Sequence, residues 1–363
     1  MLKNLNPEMT VRIDGSYGEG GGQILRTTLA LSSLLREEVQ IYNIRKGRKI
    51  PGLQPQHLTC VEACREITNA LLEGANLRSL SLKFSPKNLE GGDLSFDVAR
   101  IKGSAGSVSL VLQAVLPALV LAQRRSKVVV FGGTHVLWSP PFDYLRDVFF
   151  PMVGKIGCYF KGDIKKWGWY PKGKGEVLCE VSPTENLSPL NLTERGKLKN
   201  LKGISAVSNL PLEIAQRQKN QAMKILKEKK IFPQIDIKDA PSLGKGTFFF
   251  LFAEFENSFA GFSSLGEIGK RAEKVAEEAC FEFLKFMKTK AALDPHLADQ
   301  LIPYLSLAEG NSTFTVSEIT GHLLTNLWVV EQFLPVKTEV EGKEGQEGKI
   351  VLESSGIKQK LGI

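Results

Sequence analysis

Apolar side chains return every three or four positions over residues 23–35, at Ile24, Leu25, Leu29, Leu31, Leu34 and Leu35. That is the period of a helix with one buried stripe. Residues 11–14 read as a short strand ahead of it, and residues 39–44 (VQIYNI) alternate after it as a half-buried strand does. A second helix over 56–72 and a strand over 80–84 complete the set. The order then returns, with a helix over 105–123, a strand over 127–131, a helix over 142–156 and a strand over 158–161. Toward the C-terminus it comes a third time: helix 297–308, strand 312–319, helix 322–333, then strands 336–340 and 349–352. Three passes of helix–strand–turn–helix–strand predict an α/β (α+β) core assembled from one unit used three times.

Between the second and third passes the pattern changes. A basic helix over 212–230 is followed by strands near 234–237, 246–256 and 259–263, and then by a helix over 270–288. The order β-α-β-β-β-α breaks the repeat, so this block reads as an inserted, smaller α/β domain. The expected division is core 1–188, insert 189–288 and core 289–363. In each pass the turn ahead of the second helix carries polar residues: Arg45 and Arg48, Thr134 and His135, Thr320 and His322. In a pseudo-symmetric core, three such turns are in position to converge on one pocket.

Composition narrows the picture modestly. With 363 residues, 42% hydrophobic and 24% charged, the chain is an ordinary globular protein large enough for two domains. A net charge of +8 favours a polyanionic partner, nucleotide or nucleic acid, and no arginine-rich tail points to loose coating of nucleic acid. The most apolar window, 108–122, is too short for a bilayer and contains Gln113 and Pro117, so it reads as a buried helix and no membrane partner is expected. Five cysteines, an odd and scattered set, with no secretory signal at the start, lead to the expectation of a reducing, cytoplasmic setting.

Residues 14–26 (DGSYGEGGGQILR) hold five glycines, Glu19, Gln23 and Arg26 directly ahead of a helix. Glycines permit positive φ and close approach of an anion, and a helix start aims N–H groups at it. A plain surface hairpin remains the alternative. Neither G-x-G-x-x-G nor the P-loop pattern is present: position 23 is Gln, and no glycine-spaced Gly-Lys-Ser/Thr occurs. Arg45, Arg48 and Lys49 form a cationic turn suited to phosphate oxygens, or equally a solvated charge run. His322 opens a helix, where the dipole favours neutral imidazole, although a cap or packing role fits the same position. His57, Cys60 and Cys64 lack a fourth metal ligand at usable spacing, and the two cysteines read as small core residues. The segment 167–175 (WGWYPKGKG) mixes aromatics, lysines and glycines as a stacking and phosphate surface would.

Taken in order, these segments resemble the RNA 3′-terminal phosphate cyclases nearly end to end. The match is carried by residues 14–26, 44–57 (IRKGRKIPGLQPQH), 103–119, 132–135 (GGTH), 170–177 (YPKGKGEV), 297–301 (LADQL) and 322–326 (HLLTN). The resemblance implies three units, each like the C-terminal domain of translation initiation factor 3, with an inserted small domain. It implies ATP and a divalent metal (Mg or Mn) as cofactors and RNA 3′ ends as partners, with a homodimer among the allowed assemblies. His322 would attack the α-phosphorus of ATP, giving a histidine–AMP adduct. AMP would pass to an RNA 3′-phosphate, and the 2′-hydroxyl would then close a 2′,3′-cyclic phosphate. Glu19 is the implied metal contact. Arg26, Arg45, Arg48, Gln56 and His57 are implied to hold triphosphate or RNA end, and Gln113 with His296, Leu297, Ala298, Asp299 and Gln300 the nucleotide. One departure is Gly173-Lys174-Gly175 where the family pattern has three glycines. Two other readings stay open: a non-catalytic cyclase-like protein of ribosome biogenesis, which lacks the histidine, and an enolpyruvyl-type transferase, which leaves His322 and the Arg45/Arg48 turn unexplained.

Overall fold

A computed structural model describes residues 10–100 and 105–357; Gly103 and Ser104, which open one of the motifs above, lie outside them. The first unit contains β1 (Val11–Asp14), α1 (Gly22–Leu35), β2 (Val39–Tyr42), α2 (Pro55–Thr68), β3 (Leu71–Glu73) and β4 (Leu82–Ser85). The second contains β5 (Asp93–Asp97), α3 (Val108–Leu119), β6 (Ser126–Gly132), α4 (Phe142–Tyr144) running through a π turn (Leu145–Phe149) into α5 (Phe150–Gly154), then β7 (Tyr159–Lys166) and β8 (Gly175–Ser182). Next come β9 (Asn191–Leu192) and a block of β10 (Leu198–Ser208), α6 (Leu212–Glu228), β11 (Gln234–Asp239), β12 (Gly246–Phe255), β13 (Phe259–Leu265) and α7 (Ala272–Lys288). The chain closes with α8 (Ala298–Leu305), β14 (Glu309–Val316), α9 (Gly321–Phe333), β15 (Val336–Glu341) and β16 (Gly348–Ser355).

The threefold repeat is fuller than the periodicity predicts: each copy is β-α-β-α-β-β. Three four-stranded sheets share one order, β1-β2-β4-β3, β5-β6-β8-β7 and β9-β14-β16-β15. In each, the first two strands pair parallel across a helical crossover and the last strand runs antiparallel between its neighbours. The periodicity predicts a first strand only in the first pass; the predicted passes lack β3 there, β5 and β8 in the second and β9 in the third, β5 being largely exposed and β9 only two residues, too few to show a period. Since β9 pairs with β14, we propose that the third unit begins at β9 and is interrupted after it; a boundary at residue 189 separates that strand from its sheet.

The helices α1, α3, α8 and α9 pack on one another, so the three units share one core. Burial on all sides explains why α3 is apolar nearly throughout, and Cys60 and Cys64 of α2 donate to the Leu110 and Ala114 carbonyls of that helix at 3.6 Å each. The inserted block builds a separate sheet, β11-β10-β12-β13, with α6 and α7 on one face and its own core around Phe249, Leu251, Phe255 and Phe283. Alternate residues of β12, Phe248 and Phe250, point the other way and join the main core. The unbroken aromatic run FFFLF thus reflects a strand covered on both faces. Among the described residues, no helix is long and apolar enough to cross a membrane.

Candidate active site

A cleft of about 700 Å³ opens where the three units and the insert meet. Its floor is the glycine turn and the start of α1. Gly18 takes φ +55°, and a Cβ there would strike the Thr325 hydroxyl of α9. A Cβ on Gly22 would lie 2.5 Å from Nε2 of His57 and 3.1 Å from Nη1 of Arg26. Only glycine lets the turn run this close to α9 and to the side chains of the cleft.

Thr325 also ties the turn to α9 through hydrogen bonds. Its Oγ1 accepts from the Glu19 N–H at 3.1 Å and donates to the Gly321 carbonyl at 2.7 Å. Tyr17, in the same turn, stacks on Trp328 of α9 with ring centroids 3.9 Å apart. Glu19 is thereby placed beside His322, with Oε2 3.7 Å from Nδ1, while its other oxygen pairs with Arg48, whose Nη2 also donates to the Glu19 carbonyl at 2.8 Å.

His322 is the second residue of α9, whose N-cap Thr320 accepts from the Leu323 N–H at 3.1 Å. About half of its side chain, 48%, is exposed. Burial of the remainder, followed by the charges of Arg26, His296 and Arg48, pulls its pKa down to about 4. The imidazole is therefore neutral near pH 7. The Arg26 guanidinium lines the cleft and has no hydrogen bond or ion pair among the described residues. Burial lowers its pKa, with Asp299 acting in the opposite sense. It is a cation prepared for an anion that the chain itself does not supply.

The opposite wall comes from the α3 and α8 elements. Gln113 donates to Gln300 Oε1 at 3.1 Å, Gln23 donates to Asp299 Oδ2 at 2.8 Å, and Asn326 donates to the Asp299 carbonyl at 2.7 Å. These bonds join α1, α3, α8 and α9, with one side chain each from α1, α3 and α9 and two from α8. Burial raises the Asp299 carboxyl to about 6, against the opposing pull of His296, Gln23 and Arg26. The turn before α8 is fixed by Asp294, fully buried, which accepts from the N–H groups of His296, Leu297 and Gly261 and from the Tyr144 hydroxyl.

Of the residues singled out from sequence, Glu19, Arg26, Arg45, Arg48, His57, Gln113, His296, Asp299, Gln300 and His322 all line this cleft. Arg45 is partly committed elsewhere, its Nη1 donating to the carbonyls of Ile50 and Gly52 at 2.7 and 3.1 Å. Burial, then the charges of Arg45 and Arg26, holds His57 at about 3, and its Nδ1 accepts from the Gln54 N–H at the start of α2. Gln56, Leu297 and Ala298 do not line the cleft. Gln56 donates to the Ser107 carbonyl at 3.2 Å, and Leu297 and Ala298 are buried in the core.

Two expectations are corrected. The residues predicted from the middle turn do not reach the cleft: Thr134 and His135 are buried, His135 stacks on Trp167 at 3.9 Å, and its Nε2–H donates to Asp143 at 2.8 Å. Trp167 and Trp169, read as a stacking surface, are themselves buried: both rings lie against His135, and Trp167 also meets Phe248 of the insert. Lys174 takes φ +58° in the glycine turn after them, and that turn does not line the cleft. Sequence reasoning missed Trp138, Ser139, Pro140, Pro141 and Tyr144, and the insert's Phe262, Ser263 and Glu282. The Pro-Pro pair marked only a break before a helix, and nothing periodic points from the insert to the core.

Fold and cleft together define a three-unit α/β protein whose cleft holds an uncommitted arginine, a second guanidinium and a neutral imidazole at a helix start, groups chemically suited to phosphate. The comparisons with known proteins make this specific. The family model described as RNA 3′-terminal phosphate cyclase matches residues 17–340. Proteins named RNA 3′-terminal phosphate cyclase are similar along almost their whole length. That of Pyrococcus furiosus is 45% identical over 93% of this chain and 97% of its own. That of Nostoc punctiforme is 43% identical over 89% and 94%, and that of Methanopyrus kandleri 41% over 95% and 99%. The chain belongs to the RNA 3′-terminal phosphate cyclase family. A crystal structure of the enolpyruvyl transferase NikO from Streptomyces tendae aligns over 96% of this chain and 49% of its own at a TM-score of 0.37 and 10% identity, too weak a likeness to bear on the site.

Proposed function

We propose that the protein uses ATP to convert an RNA 3′-terminal phosphate into a 2′,3′-cyclic phosphate by way of a covalent AMP adduct on His322. The observation that carries this reading is the neutral imidazole of His322, set beside a carboxylate and two guanidinium groups in one cleft. With the Nδ1 proton directed toward Glu19, Nε2 keeps its lone pair for attack on the α-phosphorus, and the P–O bond to pyrophosphate breaks. The adduct is cationic on the ring, and the Glu19 carboxylate 3.7 Å from Nδ1 stabilises that charge. Arg26 and Arg48 face the charge that builds on the departing oxygens.

An oxygen of the RNA 3′-phosphate then attacks the AMP phosphorus and His322 leaves as neutral imidazole. In the last step the 2′-oxygen attacks the RNA phosphorus, its proton is lost, and AMP departs. A phosphomonoester alone offers a poor leaving group to its own 2′-hydroxyl; joining it to AMP supplies a good one. Gln113, His296, Asp299 and Gln300 are assigned to the nucleotide.

No cluster of three or more His, Cys, Asp or Glu is placed to hold a metal among the described residues. Glu19 is a single carboxylate at the cleft floor, which fits magnesium-like binding by one carboxylate plus phosphate and water oxygens. Such an ion would supply further charge neutralisation on the phosphates. The test is incubation with α-labelled ATP and a divalent metal, following pyrophosphate release and label on the protein. Acid-labile, alkali-stable label in the wild type is expected; wild-type protein that takes up no label would overturn the reading.

A further inference from the structure

The three equivalent turns do not contribute alike. The first brings Arg48 and the third His322, whereas the second, after β6, extends over residues 136–141 and brings Trp138. That indole is 95% exposed on a backbone at φ +63°, a conformation that costs a non-glycine residue free energy. Its ring makes no stacking or cation–π contact among the described residues. The loop is nevertheless held firmly. The N–H groups of Thr134 and His135 donate to the Gly168 carbonyl at 3.0 and 3.1 Å, and the Phe142 N–H donates to the Thr134 carbonyl at 3.1 Å. Thr134 Oγ1 bonds His135 Nδ1 at 2.7 Å, and Ser139 Oγ donates to the Val136 carbonyl at 3.0 Å. A large apolar ring is thus held out into water by a braced loop, with no intramolecular reason for it.

Trp138, Ser139, Pro141 and Ser263 line both the main cleft and an adjoining groove of about 390 Å³, which also includes Leu137, half exposed, and Leu265. A mononucleotide is expected to be enclosed by its pocket. An occupant that reaches from the cleft past Trp138 into a second groove must instead extend beyond the site, as a polymer does. We propose that Trp138 is a stacking platform for a nucleobase of the RNA strand near its 3′ end, where the strand leaves the cleft. Indole faces stack any base, so the contact would position RNA without reading its sequence. The inference rests on the cyclase reading for the identity of the polymer.

Tryptophan fluorescence isolates the contact. Trp167 and Trp169 are buried and Trp328 is stacked on Tyr17, so the wild-type minus Trp138→Phe difference reports on the exposed ring. A short RNA ending in a 3′-phosphate, without ATP, should quench that difference, and Trp138→Ala should raise the RNA KM roughly five- to hundredfold, with Trp138→Phe restoring most of it. Three results would overturn the platform: no quenching by RNA, equal quenching by ATP alone, or an RNA KM for Trp138→Ala within twofold of wild type. Quenching by RNA in a protein that takes no label from ATP would keep the platform and remove the cyclase mechanism, so the two failures are separable.

Discussion

His135 and His322 occupy corresponding places in two repeated units, each close behind a threonine, His135 ahead of the unit's second helix and His322 in its first turn, yet their environments are opposite. His135 is buried against Trp167, with Thr134 bonded at Nδ1 and Asp143 at Nε2, and burial keeps it neutral. His322 is half exposed beside Glu19, and cations add to burial in keeping it neutral. Both are neutral imidazoles, but only His322 has a nitrogen left for chemistry. The repeat sets where a turn falls; the surrounding side chains decide whether its histidine is locked as a brace or left with a free nitrogen, as the proposed nucleophile needs.

The largest expected effect separates these two. His322→Ala should lower cyclisation of an RNA 3′-phosphate by on the order of 10⁴-fold or more, since the whole proposed route passes through that ring. His135→Ala should instead cost about 2–4 kcal/mol of stability, read as a lowered denaturation midpoint, while folded protein still takes label from ATP. Loss of labelling in a stable, folded His135→Ala variant would erase the distinction.

Next in size is Gly22→Ala, which pushes a methyl group into His57 and Arg26. Displacement of phosphate-facing groups should slow labelling by about 10- to 100-fold. Full labelling with normal ATP dependence would show that the glycine turn tolerates a side chain and is not a close cradle.

The smallest effect is in pH dependence. The folded pKa of His322, about 4, lies below the ordinary value of 6.5, so the imidazole is neutral at and above pH 6 and becomes protonated as pH falls through about 4. Arg48→Ala removes one of the charges that depress it, which makes protonation easier. The acid limb of the labelling rate should therefore move to higher pH in the variant. An unmoved limb would mean that burial, Arg26 and His296 set the titration without Arg48.

Much of the site was legible because its residues sit at turns marked by glycine, proline or a helix start. Glu19, Arg26, Arg48 and His322 are all of this kind. Of the residues missed, Pro140 and Pro141 mark a turn but carry no reactive group, and Trp138, Phe262 and Glu282 carry no mark of their own. Trp138 is one aromatic in a short loop, and Phe262 and Glu282 belong to an insert whose docking onto the cleft is a tertiary event. The Trp167 and Trp169 reading failed because exposure, not composition, separates a stacking surface from a core. Among the elements, β2 alternates plainly, whereas the two-residue β9 exists only through its pairing with β14.

The central claim is that the bond to AMP forms on His322 and on no other imidazole. Peptide mapping by mass spectrometry after brief incubation with ATP and a divalent metal, under alkaline work-up, tests it directly. AMP on the peptide containing His322, and none on those containing His57, His135 or His296, is the predicted result; AMP on any other residue, or on none, would contradict it.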